Sequence, residues 1–113
     1  MATNRDMINA NDVFTKLATN SNLKVTVSFM LLPLVDFVTS KVSEYFEVRA
    51  KIIATEISAE EKEEALNKYL DTEVVLQDLE IPIGQLKGCD LTLIDIQHIR
   101  WWLVEDSVDD YIP

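Results

Sequence analysis

Residues 23–57 read LKVTVSFMLLPLVDFVTSKVSEYFEVRAKIIATEI, and how this stretch is read decides the fold. Beyond Pro33 the helical period is clear. Leu31, Leu34, Val35, Val38, Val42, Tyr45, Phe46, Ile52 and Ile53 recur at three- and four-residue spacing, and Asp36, Ser40, Ser43, Glu44, Glu47 and Lys51 fill the other face. Ahead of Pro33 two readings stand. Leu23, Val25, Val27 and Phe29 alternate with Lys24, Thr26 and Ser28, a strand pattern; Pro33 would then open the helix, where its missing N–H costs nothing. The rival is one long helix from about Val25, kinked at Pro33. The apolar run from Val27 to Val38 is broken by Ser28, Pro33 and Asp36 and is shorter than the about 20 apolar residues that span a bilayer, so it reads as buried core.

The flanking segments also read mostly as helix. Asn9 or Asn11 is placed to cap a short helix ending near Ala18, with Val13, Phe14 and Leu17 as its apolar stripe. Asn20-Ser21-Asn22 reads as a turn and a second cap. Ser58-Ala59-Glu60-Glu61 has the form of a capping box, and the helix behind it runs to about Leu70, burying Ala65, Leu66, Tyr69 and Leu70. This helix and the long one make an antiparallel hairpin turning near Ile57. Val74, Val75 and Leu76 favour a strand, which Pro82 ends or confines to an edge, and Gly84 and Gly88 bracket a tight connection. Thr92 and Asp95 form a second box at the head of a last helix with Ile96, Ile99 and Leu103 inward. The expected architecture is mainly α: a long helical hairpin with a short β segment and a C-terminal helix, in a single small acidic domain spanning residues 1–113.

Charge is unevenly spread. Residues 1–50 carry Arg5, Lys16, Lys24, Lys41 and Arg49 against Asp6, Asp12, Asp36, Glu44 and Glu47, so the net charge of -10 resides wholly in residues 51–113. Such a half repels nucleic acid and anionic membrane and attracts basic surfaces, so neither direct nucleic-acid binding nor membrane association is expected. Glu60, Glu61, Glu63, Glu64, Asp71 and Glu73 are the acidic-face candidates. The single Cys89 excludes an intramolecular disulfide and points to a reducing compartment. The polar N-terminus, Met1 to Asp6, lacks the apolar core of a secretory leader.

Little in the chain reads as catalytic. His98 is the one histidine, and Asp95 one turn away could orient its ring, but a general base also needs a nucleophile brought close. Cys89 sits beside Asp90, which opposes the thiolate. One His and one Cys cannot supply the four ligands of a structural zinc, and Asp106, Asp109 and Asp110 lack the glycine of a calcium loop. No metal or cofactor is expected, and no enzymatic activity.

Arg100-Trp101-Trp102 is the most suggestive local feature. Adjacent tryptophans on a helix point about 100° apart, so either one packs inward and the other lies at an interface, or both cover parts of a crowded core. Trp and Arg are enriched in binding hot spots, which makes Arg100, Trp101, Trp102 and the apolar tail tip at Tyr111 the interface candidates. The same rings could instead stack on a base or nucleotide.

In order and spacing these segments resemble a family of small bacteriophage and prophage proteins catalogued only as a domain of unknown function. The likeness rests on Ile8-Asn9-Ala10, on Phe46-Glu47-Val48-Arg49-Ala50-Lys51-Ile52-Ile53, and on Leu70-Asp71-Thr72-Glu73-Val74-Val75-Leu76 with Ile81-Pro82-Ile83. It closes with Leu91-Thr92 through Glu105-Asp106. The resemblance favours the long helix over the strand for residues 25–32, although Pro33 departs from the family pattern. It implies a phage origin and expression in the cytoplasm of a bacterial host, or presence in the virion, and it transfers no catalytic residue.

The expected function is that of a non-enzymatic phage accessory protein acting by protein–protein binding. It would inhibit a host or defence factor or serve virion assembly, homo-oligomerising or engaging a basic or nucleic-acid-binding protein. The alternative is a small-ligand protein that sequesters a nucleotide signal, with Arg100, Lys87 or Arg49 as phosphate cations. A hydrolase using His98 ranks last.

Overall fold

The computed structural model describes residues 1–105. Four helices carry it: α1 (Asn4–Ala18), α2 (Val25–Ala54), α3 (Ala59–Leu70) and α4 (Leu93–Ile99). A 3-10 turn (Ile83–Leu86) and two short strands, β1 (Ile81–Pro82) and β2 (Leu103–Val104), complete the order. The mainly α expectation holds.

Residues 25–32 are helical, and the strand reading is set aside. The reason lies in spacing. Val27, Leu31, Leu34 and Val38 follow one another by four, three and four residues, and all four are buried. That stripe packs on the Ala10, Val13, Phe14 and Leu17 face of α1, so packing outweighs the local alternation. The helix runs through Pro33, whose side is exposed, while Leu31 and Leu34 anchor it before and after.

Helix α1 starts earlier than Asn9 or Asn11 suggests. Thr3 caps it, its side chain accepting from the Asp6 N–H while the Asp6 carboxylate accepts from the Thr3 N–H at 2.9 Å. Asn9 and Asn11 lie inside the helix; the Thr3 box opens the frame six residues before Asn9. The Asn20-Ser21-Asn22 segment is a turn but not a side-chain cap, because Lys24 occupies the α2 cap position. Its asparagines serve another loop. Asn20 Nδ2 donates to the Cys89 carbonyl and Asn22 Nδ2 to the Gly88 carbonyl, each at 2.9 Å.

Helices α2 and α3 form the expected antiparallel hairpin. Lys62 Nζ donates to the Ile53 carbonyl at 2.7 Å, and further from the turn Tyr69 stacks on Tyr45 and donates its hydroxyl to Glu44 Oε1 at 2.8 Å. Only half of the Ser58 box forms: Ser58 Oγ accepts from the Glu61 N–H. Ala65, Leu66, Tyr69 and Leu70 are half-buried, not buried, because α3 has a single neighbour along most of its length. Its end is docked by α1: Asn4 Nδ2 donates to the Tyr69 carbonyl at 2.9 Å, and Arg5 reaches Asp71 at 3.4 Å.

Val74, Val75 and Leu76 make no strand; the nearest pairing is an isolated bridge between Thr3 and Glu73. Extended pairing comes later and is parallel, Ile81 beside Leu103 and Pro82 beside Val104. The missing Pro82 N–H is tolerated at this edge. Helix α4 has the predicted box, Thr92 accepting from the Asp95 N–H and Asp95 accepting from the Thr92 N–H at 3.0 Å. It is only seven residues long. Leu103 therefore lies in β2, and of the expected inner stripe only Ile99 is fully buried, with Ile96 exposed.

Candidate interaction surfaces

All of α2's helical neighbours lie on one side. Val27, Leu31, Leu34 and Val38 face α1, and half-buried Tyr45, Val48 and Ile52 continue that side along the α3 half. At 100° per residue the opposite side runs through positions 25, 29, 32, 36, 39, 43, 46, 50 and 53, and every one of these nine is exposed. Their spacing alternates four and three, the period of a two-helix seam. The residues are Val25, Phe29, Leu32, Asp36, Thr39, Ser43, Phe46, Ala50 and Ile53. Both ends of the stripe are apolar and its centre is polar. Val25 is 71% exposed, Phe29 69%, Leu32 50%, Phe46 58% and Ile53 55%.

This face corrects the expected disposition of α2. Phe46 and Ile53 stand outside with Asp36 and Ser43, not inside with Leu31 and Val38, and the Val27–Val38 run is not uniformly core, since Phe29 and Leu32 are solvent-facing. One helix carries two apolar stripes, and a single stripe covering every apolar residue hid the second. The alternating four-and-three spacing from Val25 to Ile53 is the signal that could have found it. By length and composition α2 is also apolar enough to cross a membrane, and only 22% of its most apolar window is buried.

A groove of 230 Å³ flanks the stripe near its start, walled by Phe14, Leu17, Leu23, Leu31, Leu32 and Val35. A second pocket, of 460 Å³, lies between the 3-10 turn and α4, with Ile83, Leu86, Leu91, Ile96 and Leu103 as its apolar wall and Lys87 and Asp90 at its rim. Close by, Leu93 and Ile94 are exposed on α4.

The tryptophans lie in the turn after α4, not on a helix. Trp102 is buried with its ring tilted on Phe14, centroids 5.7 Å apart, and its carbonyl accepts from the Ile81 N–H at 2.7 Å. It is core. Trp101 is half-buried, and the Arg100 guanidinium covers its ring at 4.4 Å from the centroid. A cation over the face uses the side on which a ligand would stack. Neither ring lines the 460 Å³ pocket beside Lys87. Tyr111 lies outside the described residues.

The acidic candidates are all exposed but are not one continuous row. Glu60, Glu61, Glu63 and Glu64 share α3, whereas Asp71 is held by Arg5 and Glu73 borders the Thr3 bridge. Burial, together with the hydrogen bond to Glu44, pushes the Tyr69 hydroxyl well above its ordinary pKa.

Two of the residues read for chemistry, Cys89 and Asp95, serve the fold. Cys89 is buried beneath the Asn20–Asn22 turn. The Asp95 carboxylate accepts from Lys16 and from the Thr92 N–H, so its hydrogen bonds go to these groups and not to His98. Among the described residues no three His, Cys, Asp or Glu side chains gather as a metal site. No protein-family model, curated protein or solved structure matches the chain.

Proposed function

We propose that this chain is a non-enzymatic phage accessory protein that works by binding protein. The observation that carries the binding role is the outer face of α2, where Val25, Phe29, Leu32, Phe46 and Ile53 stand in water at seam spacing. Large apolar side chains aligned along one unpartnered helix face mark an interaction surface. The phage origin rests on the sequence resemblance alone. The acidic residues of α3 and the following segment are exposed and steer approach toward basic surfaces.

For a hydrolase reading the thiol of Cys89 is buried, and the Asp95 carboxylate is held by Lys16 and the Thr92 N–H. The nucleotide reading retains the pocket beside Lys87 but not an aromatic plate within it. Cross-linking in cells that express the chain, followed by mass spectrometry, tests the proposal. A specific complex with itself or with another protein is expected, weakened by charge placed at Phe29 or Phe46. A chain that stays monomeric and captures no protein overturns it.

A further inference from the structure

We infer that the outer face of α2 is covered by a second copy of this chain, the two α2 helices running antiparallel about Thr39. This inference rests on the protein-binding reading and names its partner. The stripe is self-complementary. A twofold axis at Thr39 lays Val25, Phe29 and Leu32 of one copy on Phe46, Ala50 and Ile53 of the other, twice over, and sets Asp36 against Ser43. Apolar ends meet apolar ends, and bulky Phe29 meets small Ala50. The stripe spans about 42 Å at 1.5 Å per residue, the reach of an ordinary two-helix seam.

Charge selects both the partner and the direction. A chain of net charge -10 repels its own copy in general. Helix α2 does not share that surplus: Lys41, Arg49 and Lys51 balance Asp36, Glu44 and Glu47. The face through which two copies would meet is therefore on the neutral element. A parallel pairing would stack Asp36 directly on its copy inside the seam, where like charges are costly. The antiparallel pairing separates the two carboxylates by six residues, about 9 Å along the axis. The stripe offers a basic partner a single carboxylate, Asp36, among apolar and neutral residues, and an anionic bilayer is repelled by the rest of the chain.

Sedimentation equilibrium of the full chain tests the inference. The expected result is a dimer whose dissociation constant rises at least ~10-fold in Phe29→Glu and in Phe46→Glu and is unchanged in Leu93→Glu. Each of these side chains is exposed, and circular dichroism confirms that the variants stay folded. Direction is read by disulfide formation in a Cys89→Ser background. A mixture of Val25→Cys and Ile53→Cys chains should cross-link to each other, and Val25→Cys should not cross-link to itself. A monomer, a dimer indifferent to Phe29→Glu and Phe46→Glu, or self-linked Val25→Cys overturns the inference. So does co-sedimentation of a monomer with phosphatidylglycerol vesicles that Phe29→Glu abolishes. A monomer that binds a different protein through this face overturns the second copy while leaving the protein-binding function standing.

Discussion

The ammonium of Lys16, in the last turn of α1, is ion-paired with the carboxylate of Asp95, in the first turn of α4. Each charge sits at the helix end that favours it, a cation at a C-terminus and an anion at an N-terminus. Asp95 also closes its own capping box through the Thr92 N–H. A helix of seven residues does not persist alone, so this one buried carboxylate both starts α4 and fastens it to α1.

Asp95→Ala should therefore cost about 1–2 kcal/mol at neutral pH, most of it from the lost cap, since the Lys16 end of the pair is half exposed. The hydrogen bond from Lys16, then the backbone bond at Thr92, holds the Asp95 carboxyl below its ordinary value of 3.8. The folded state thus binds this proton less readily than the unfolded chain. The stabilisation is complete above the ordinary value and is lost as pH falls through the lowered one. Urea melts from neutral pH down to about pH 2 should show a steeper acid loss for the wild type than for Asp95→Asn. Equal acid slopes would refute the assignment.

Trp102 and its neighbours separate core from surface. Trp102→Ala removes a fully buried ring from Phe14 and should cost about 3–5 kcal/mol. Arg100→Ala removes a guanidinium from an outer ring face and should cost about 0.5–1 kcal/mol. Thermal melts of the two variants check the contrast. A Trp102→Ala protein as stable as Arg100→Ala would mean that Trp102 is not the core ring.

Legibility in the sequence followed the range of the cause. The Thr92–Asp95 box, the Val13–Phe14–Leu17 stripe and the turn before α3 are set by residues within four positions of one another, and each formed as expected. The start of α1 was misplaced because Thr3 and Asp6 make an equally local box that the Asn9–Asn11 pair overshadowed. Val74 to Leu76 make no strand because β propensity needs a neighbour along the segment, and among the described residues the pairing here is the single Thr3–Glu73 bridge, with the Val74 N–H donating to the Ala2 carbonyl. The tryptophans left the helix because α4 stops at Ile99, where Leu103 turns to pair with Ile81. The outer stripe of α2 emerged only with the position of α1, since either apolar stripe could have been the buried one.

Pro33, the ninth residue of a thirty-residue helix, denies the Phe29 carbonyl its intrahelical donor. Pro33→Ala restores that bond, and Pro33 is exposed, so no core contact is lost. Against this, proline restricts the unfolded chain, worth up to about 1 kcal/mol. The net expectation is a gain of about 1–2 kcal/mol in urea unfolding, with unchanged helicity by circular dichroism. A loss instead would mean that a bend at Pro33 is needed to seat Leu31 and Leu34 on α1.

Gly88 adopts φ 85°, a left-handed conformation that L side chains rarely take. Space is not the difficulty: a Cβ there would meet the Asn22 Cβ at 3.9 Å, an ordinary contact. The cost of Gly88→Ala is thus backbone strain alone, about 1–2 kcal/mol, and Gly88→Asn should cost less because asparagine tolerates this region. The Gly88 carbonyl accepts from Asn22 Nδ2, so strain at Gly88 also misplaces the acceptor. Asn22→Ala combined with Gly88→Ala should consequently destabilise by less than the sum of the two single changes, with a coupling of about 0.5 kcal/mol or more in a double-mutant cycle. Strict additivity would show that the Asn20–Asn22 turn and the Gly88–Cys89 turn only lie side by side and do not hold each other in place.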